Sequence, residues 1–295
     1  LDGLRMKEKR KIFFSEEKKQ KTFGLWSTRL PDPARQGAKV FWFFFSKNNI
    51  LPVLLLAAAA PSQWASLPLS RMDLPWWRAR FAAKAAEMKR GPVDLVWYGD
   101  SITQDWEEAG PEPWRDFRPV WQHYYGGRHA LDLGFKGDTT AHLLWRIENG
   151  EASGIHPKAA VVLIGANNFG RVHWAAGPTE AGIVRIVDEL HARLPGVRIL
   201  LIGVLPCLRG PWVAEQTEAV NKALAARYRD GRQATFVDVS QLFLTDGKVD
   251  AWKFLDPHLR PPDPPLHPTA QTQGAMAAAI EPILAGMLGD QARGP

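Results

Sequence analysis

The sequence has a single cysteine, Cys207, among 295 residues. One cysteine excludes an internal disulfide, and no Cys/His cluster stands at zinc-ligand spacing, so the common structural zinc sites are excluded too. Cys207 follows an apolar run and Pro206, the setting of a buried structural thiol. The shortage of cysteine leaves the compartment open, because a chain of this size needs no disulfides even when exported. Also missing is an apolar run of the roughly 20 residues that span a bilayer. A basic surface for nucleic acid is lacking as well. Residues 1–49 carry twelve Lys/Arg against five Asp/Glu; with +6 overall, the remainder sums to minus one. The main part of the chain therefore has no cationic excess to track phosphates.

What is present suits a globular protein. Hydrophobic residues make up 45% and charged residues 23%, enough for a buried core. The N-terminal stretch 1–49 mixes basic runs with the aromatic cluster Phe41-Trp42-Phe43-Phe44-Phe45 and holds no amphipathic period, which predicts a poorly ordered leader. Ile50 to Ala60 has the length of a signal-peptide core, preceded by Lys47 and followed by small residues. This predicts an export signal over about 47–65, with a linker to residue 71 and a periplasmic or secreted location. The competing readings are a membrane-surface segment and a cytoplasmic protein.

From residue 72 to about 290 the pattern is that of one domain. Short apolar runs at 93–98, 130–133, 160–164, 199–204 and 235–239 alternate with helical stretches at 139–149, 178–194, 213–229 and 270–288, after a first helix over 73–89. Runs without polar alternation, separated by helices, predict parallel strands buried on both faces. The expected fold is α/β: a three-layer α/β/α, flavodoxin-like domain with a five-stranded parallel sheet.

Polar segments fall at the carboxyl ends of the first three runs, where open parallel sheets place their sites. They are Gly99-Asp100-Ser101-Ile102-Thr103, Gly137-Asp138-Thr139-Thr140 and Gly165-Ala166-Asn167-Asn168; a fourth segment holds His267-Pro268 before the last helix. Taken alone, Ser101 reads as an ordinary helix cap. In this order the four segments resemble the SGNH, or GDSL-type, hydrolase superfamily. Within it, Leu133 to Asn168 is most similar to the branch of the platelet-activating-factor acetylhydrolase catalytic subunits, through Gly-Asp-Thr-Thr, Leu144-Trp145-Arg146 and Asn149-Gly150-Glu151. The resemblance implies ester hydrolysis with no metal or cofactor. It implies Ser101 as nucleophile and His267 as general base. The Ser101 and Gly137 amides and the Asn167 side chain would form the oxyanion hole.

The pattern breaks at the acid. The family places an Asp three residues before the His, and here that position is Pro264. The nearest carboxylate is Asp263, which a turn, for instance one with a cis Pro265, would bring to His267 as third catalytic residue. Asp256 is the alternative, and a Ser–His dyad the last resort. The expected substrate is a small, acetyl-like ester, extended by the export reading to an O-acetylated polysaccharide or other cell-envelope glycan. Rival readings are acyl transfer to a carbohydrate acceptor and a non-catalytic binding module. Of the 13 tryptophans, Trp97, Trp106, Trp145 and Trp174 lie in or near the blocks; most read as core, one or two as a platform for sugar rings.

Overall fold

The computed structural model describes residues 61–294. The basic leader and the apolar segment through residue 60, on which the export reading rests, lie outside the described residues. Five strands form the sheet: β1 (Leu95–Gly99), β2 (Ala130–Gly134), β3 (Ala159–Leu163), β4 (Arg198–Ile202) and β5 (Thr235–Val237). Their spatial order is β2-β1-β3-β4-β5, and every pairing is parallel. The order reverses between β1 and β3, and such a switch opens a crevice at the strand ends.

Eight helices accompany the sheet in the described residues: α1 (Pro75–Glu87), α2 (Ser101–Gln104), α3 (Arg118–Tyr124), α4 (Thr140–Arg146), α5 (Ala166–Gly170), α6 (Ala176–Arg193), α7 (Pro211–Arg227) and α8 (Ala270–Leu288). Alternate strand residues face opposite ways. Val96 and Tyr98 enter a core with Leu143 and Leu144 of α4, Ile183 and Ile186 of α6, and Val220 and Leu224 of α7. Leu95 and Trp97 enter a second core with Tyr124 of α3 and Met276 and Ile280 of α8. Two cores around one sheet give the expected three layers. No helix among the described residues is long and apolar enough to cross a membrane.

The segment 61–71, expected as the end of a linker, is packed into this domain. A 3-10 turn, Pro61–Ser66, lies on α6. The Ala65 carbonyl accepts the Thr140 hydroxyl at 2.7 Å, and Gly182 supplies the close approach, since a Cβ there would stand 2.3 Å from that carbonyl oxygen. Arg71 then reaches the buried Asp138 at 2.7 Å. Sequence periodicity did not register this segment because it buries Ala65, backbone and one ion pair and no repeating apolar face.

Candidate active site

The site begins where β1 ends. Gly99 and Gly134, the last residues of the paired strands β1 and β2, carry no Cβ to obstruct α2. A Cβ on Gly99 would stand 2.0 Å from the Thr103 Oγ1 and 2.5 Å from the Leu163 carbonyl oxygen, and one on Gly134 2.2 Å from the Gln104 nitrogen. The short α2 therefore sits across the strand ends with Ser101 as its first residue. Asp100 caps it, its Oδ1 accepting the Ile102 N–H at 3.0 Å. Ser101 is buried, and its Oγ lies 3.0 Å from His267 Nε2.

His267 comes from the segment before α8, and its acid is Asp256. The Asp256 Oδ1 stands 2.9 Å from His267 Nδ1. Its Oδ2 accepts the backbone N–H groups of Leu266 and His267 at 2.7 and 2.6 Å. Asp263, expected at this position, is exposed and touches the relay only through its backbone N–H, which donates to the Asp256 carbonyl at 3.3 Å. The reason is geometric. The stretch 257–266 leaves the site and returns as a loop, closed at its neck by one buried carboxylate that binds three donors. The prolines occupy the exposed tip, and the cis peptide bond of the loop is Arg260–Pro261, not one at Pro265. The carboxylate nearest in sequence is thereby carried outward, while the one eleven residues away lies against the imidazole.

Burial opposes a charged imidazole, but the Asp256 hydrogen bond and the carboxylates of Asp105, Asp256 and Asp100 outweigh it, holding His267 above its ordinary pKa. Burial likewise raises Asp256, yet the His267 bond and charge and the two backbone N–H groups bring it below the usual carboxylate value. Two further carboxyls nearby are pushed up, mainly by desolvation: Asp100 to about 6 and Asp105 to about 7. Of the three, Asp256 alone is held below its ordinary value.

Of the expected oxyanion-hole groups, Ser101 opens α2, Gly137 lies in the turn between β2 and α4, and Asn167 lies in α5. Gly137 has φ of +75°, which favours glycine. Among the described residues, neither the Ser101 nor the Gly137 backbone N–H has an acceptor. The Asn167 Nδ2 donates to the Asp138 carbonyl at 3.0 Å and to Asp100 Oδ2 at 3.3 Å, which fixes the amide between the residue after Gly137 and the residue before Ser101. Asn168 instead ties α5 to α4, accepting the Thr140 N–H at 3.0 Å and donating to the Thr140 hydroxyl at 2.7 Å.

A buried ionic network holds the Gly137 turn. The Asp138 Oδ1 accepts from Arg71 at 2.7 Å and from the Trp77 indole at 2.9 Å, and its Oδ2 from Arg146 at 2.8 Å. Arg146 also donates to the carbonyls of Gly99 and Leu133, each at 3.0 Å, and pairs with Glu151. One guanidinium thus clamps the ends of β1 and β2 to the turn between them and α4. The sequence displayed Arg146 and Glu151 without disclosing this clamp, because half of the groups it holds are backbone carbonyls.

Trp97 and Trp106 are wholly buried, packed on Tyr125 and Trp121, so they are core and no sugar platform. Cys207 is buried, and burial pushes its thiol pKa up, which makes it a poor nucleophile.

The chain is similar to known proteins in sequence and in fold. The model of the GDSL-like lipase/acylhydrolase family matches residues 97–275, from β1 into α8. The human platelet-activating factor acetylhydrolase IB subunit alpha1 is 31% identical over 221 residues, covering 70% of this chain and 90% of that protein. The rat subunit alpha2 is 29% identical over 197 residues, 65% of this chain and 81% of its own length. Among solved structures, a GDSL-like lipase from Bacteroides thetaiotaomicron superposes with a TM-score of 0.52 at 20% identity, covering 70% of this chain and 97% of that one.

Proposed function

Since the chain belongs to the GDSL-like lipase/acylhydrolase family and is an ester hydrolase, we propose that it cleaves short acyl esters through an acyl-enzyme on Ser101. The observation that carries this reading is the unbroken relay Ser101 Oγ, His267 Nε2, His267 Nδ1, Asp256 Oδ1, with steps of 3.0 and 2.9 Å. A serine hydroxyl is a weak nucleophile until a base removes its proton. His267 takes that proton as Oγ attacks the ester carbonyl carbon, and Asp256 stabilises the imidazolium that forms. The carbonyl oxygen becomes an oxyanion, met by the N–H groups of Ser101 and Gly137 and the Asn167 amide. Each such donor typically contributes on the order of 10²–10³ in rate.

His267 then returns the proton to the alcohol oxygen as the C–O bond breaks. Water repeats the sequence: it loses a proton to His267, adds to the acyl carbon, and Ser101 leaves with the proton restored. An acetyl-sized acyl group is supported by the name of the 31% identical human relative, an acetylhydrolase. The intact relay also speaks against a binding module, which was suggested only by the displaced acid.

The test is turnover of 4-nitrophenyl acetate together with labelling by a fluorophosphonate. The expected result is activity and labelling in the wild type, both abolished in Ser101→Ala, with kcat lower by about four orders of magnitude or more. Turnover that survives in Ser101→Ala, or a folded wild type with neither property, would overturn the reading.

A further inference from the structure

The rim of this site carries two arginines that the relay and the oxyanion hole do not use. Arg171 follows α5 directly, its N–H bonded to the Asn167 carbonyl at 3.1 Å. Residues four apart share a helix face, so the turn that presents the Asn167 amide presents Arg171 beside it. Its guanidinium lies against Gly137: a Cβ on that glycine would stand 2.4 Å from Arg171 Nη1. Arg209 lies across the same helix, with Nη1 2.9 Å from where a Cβ on Gly170 would be. Its loop is joined to the His267 segment, since Leu208 N–H donates to the Pro265 carbonyl at 3.0 Å.

Neither guanidinium has an ion-pair partner among the described residues. The nearby carboxylates are already engaged. Both Asp138 oxygens are taken by Arg71, Trp77 and Arg146, and those of Asp100 by the Ile102 N–H and Asn167. Burial and the charge of Arg71 lower the Arg171 pKa; Asp138 opposes them, and Arg209 lowers it further. The mouth thus holds like charges facing one another with no acid to spare, an arrangement that an incoming anion relieves.

Resting on the esterase reading, we propose that Arg171 and Arg209 form a subsite for an anionic group, a carboxylate or a phosphate, on the alcohol portion of the ester. The alcohol side follows from the relay: the leaving oxygen must reach His267 Nε2, and Arg209 sits on the loop bonded to that histidine's segment. Planar guanidinium forks bind both anions with paired charge-assisted hydrogen bonds. Such a contact discriminates against the neutral analogue, because an ester without the charge forgoes the charge-assisted hydrogen bonds to both guanidiniums.

Matched esters test this. One pair is 3-acetoxybenzoate and its methyl ester; the other is 1-acetylglycerol 3-phosphate and 1-acetylglycerol. The expected wild-type result is a kcat/KM at least tenfold higher for the charged member of one pair or both, and the pair with the larger ratio identifies carboxylate or phosphate. Arg171→Ala and Arg209→Ala should each lower that ratio about tenfold, through KM, with partial recovery in the lysine variants. Added salt should raise KM for the charged members only. Ratios near one in the wild type, or unchanged in both alanine variants, overturn the subsite even if 4-nitrophenyl acetate is turned over. If no ester is turned over, the catalytic reading falls and the subsite is still decided. Calorimetric titration with 3-hydroxybenzoate and glycerol 3-phosphate should then show binding that Arg171→Ala and Arg209→Ala weaken about tenfold; no binding, or equal binding, rejects it.

Discussion

Asp256 and Asp263 are seven positions apart and have opposite fates. Asp256 is 2% exposed and binds three donors, whereas the Asp263 side chain faces water. The neutral isostere separates their roles. Asp256→Asn should lower kcat about 10²–10⁴-fold, as loss of the orienting carboxylate does in serine relays. Asp263→Asn should stay within about twofold, as surface substitutions do; steady-state kinetics on 4-nitrophenyl acetate reads both. The pH profile gives a second check. Only the neutral imidazole accepts the serine proton, so kcat/KM rises with pH through the His267 pKa. That pKa is held above the ordinary value of about 6.5 by Asp256 and its neighbours. Asp256→Asn removes the leading upward influence, so its residual activity should have its inflection at lower pH. An unmoved inflection would show that Asp256 does not govern the base.

At the scale of elements, the site depends on how closely α2 lies over the strand ends. Gly99→Ala would drive a methyl into Thr103 and the β3 backbone, and should lower stability by about 3 kcal/mol, seen as a lower urea midpoint. Gly91→Ala, where nothing lies within 4 Å and the backbone is ordinary, should leave the midpoint nearly unchanged. Equal midpoints for the two would refute the close-packing account. The strands were legible as short unbroken apolar runs, and the helices at 178–194, 213–229 and 270–288 as the longer stretches between and after them. Ser101, Gly137, Asn167 and His267 were named as candidates through the order of four short segments that together resemble one superfamily; alone, Ser101 reads as a helix cap. α3 was not legible: Arg118–Tyr124 is only two turns long. Nor did the sequence decide for Asp256 over Asp263, since judging reach by distance along the chain supposes that the chain runs straight, and here it doubles back.

For the whole molecule, the ionic network joins parts of the chain that no strand pairing joins. Arg71 links the N-terminal stretch to Asp138, which Arg146 links to both strand ends. A protein starting at residue 61 should therefore be more stable than one starting at residue 73 by on the order of 3 kcal/mol, because the shorter one strips Asp138 of a buried partner. Arg71→Met in the longer chain should reproduce most of that loss; equal urea midpoints for all three would contradict it. Disturbance of this network also reaches the Gly137 turn, so its variants should lose activity at temperatures where the fold still persists.

The loop between Asp256 and His267 has one more consequence. Its ends are pinned by the carboxylate they share, while its tip at residues 261–264 is in water. Tip and neck are therefore separate in what they govern. Ring closure grows dearer only slowly with length, about 0.6 kcal/mol per doubling, so residues can be added at the tip without disturbing the neck. The fold carries an interchangeable handle whose root is the proton relay, a place where relatives can diverge in surface and reach while their chemistry stays the same.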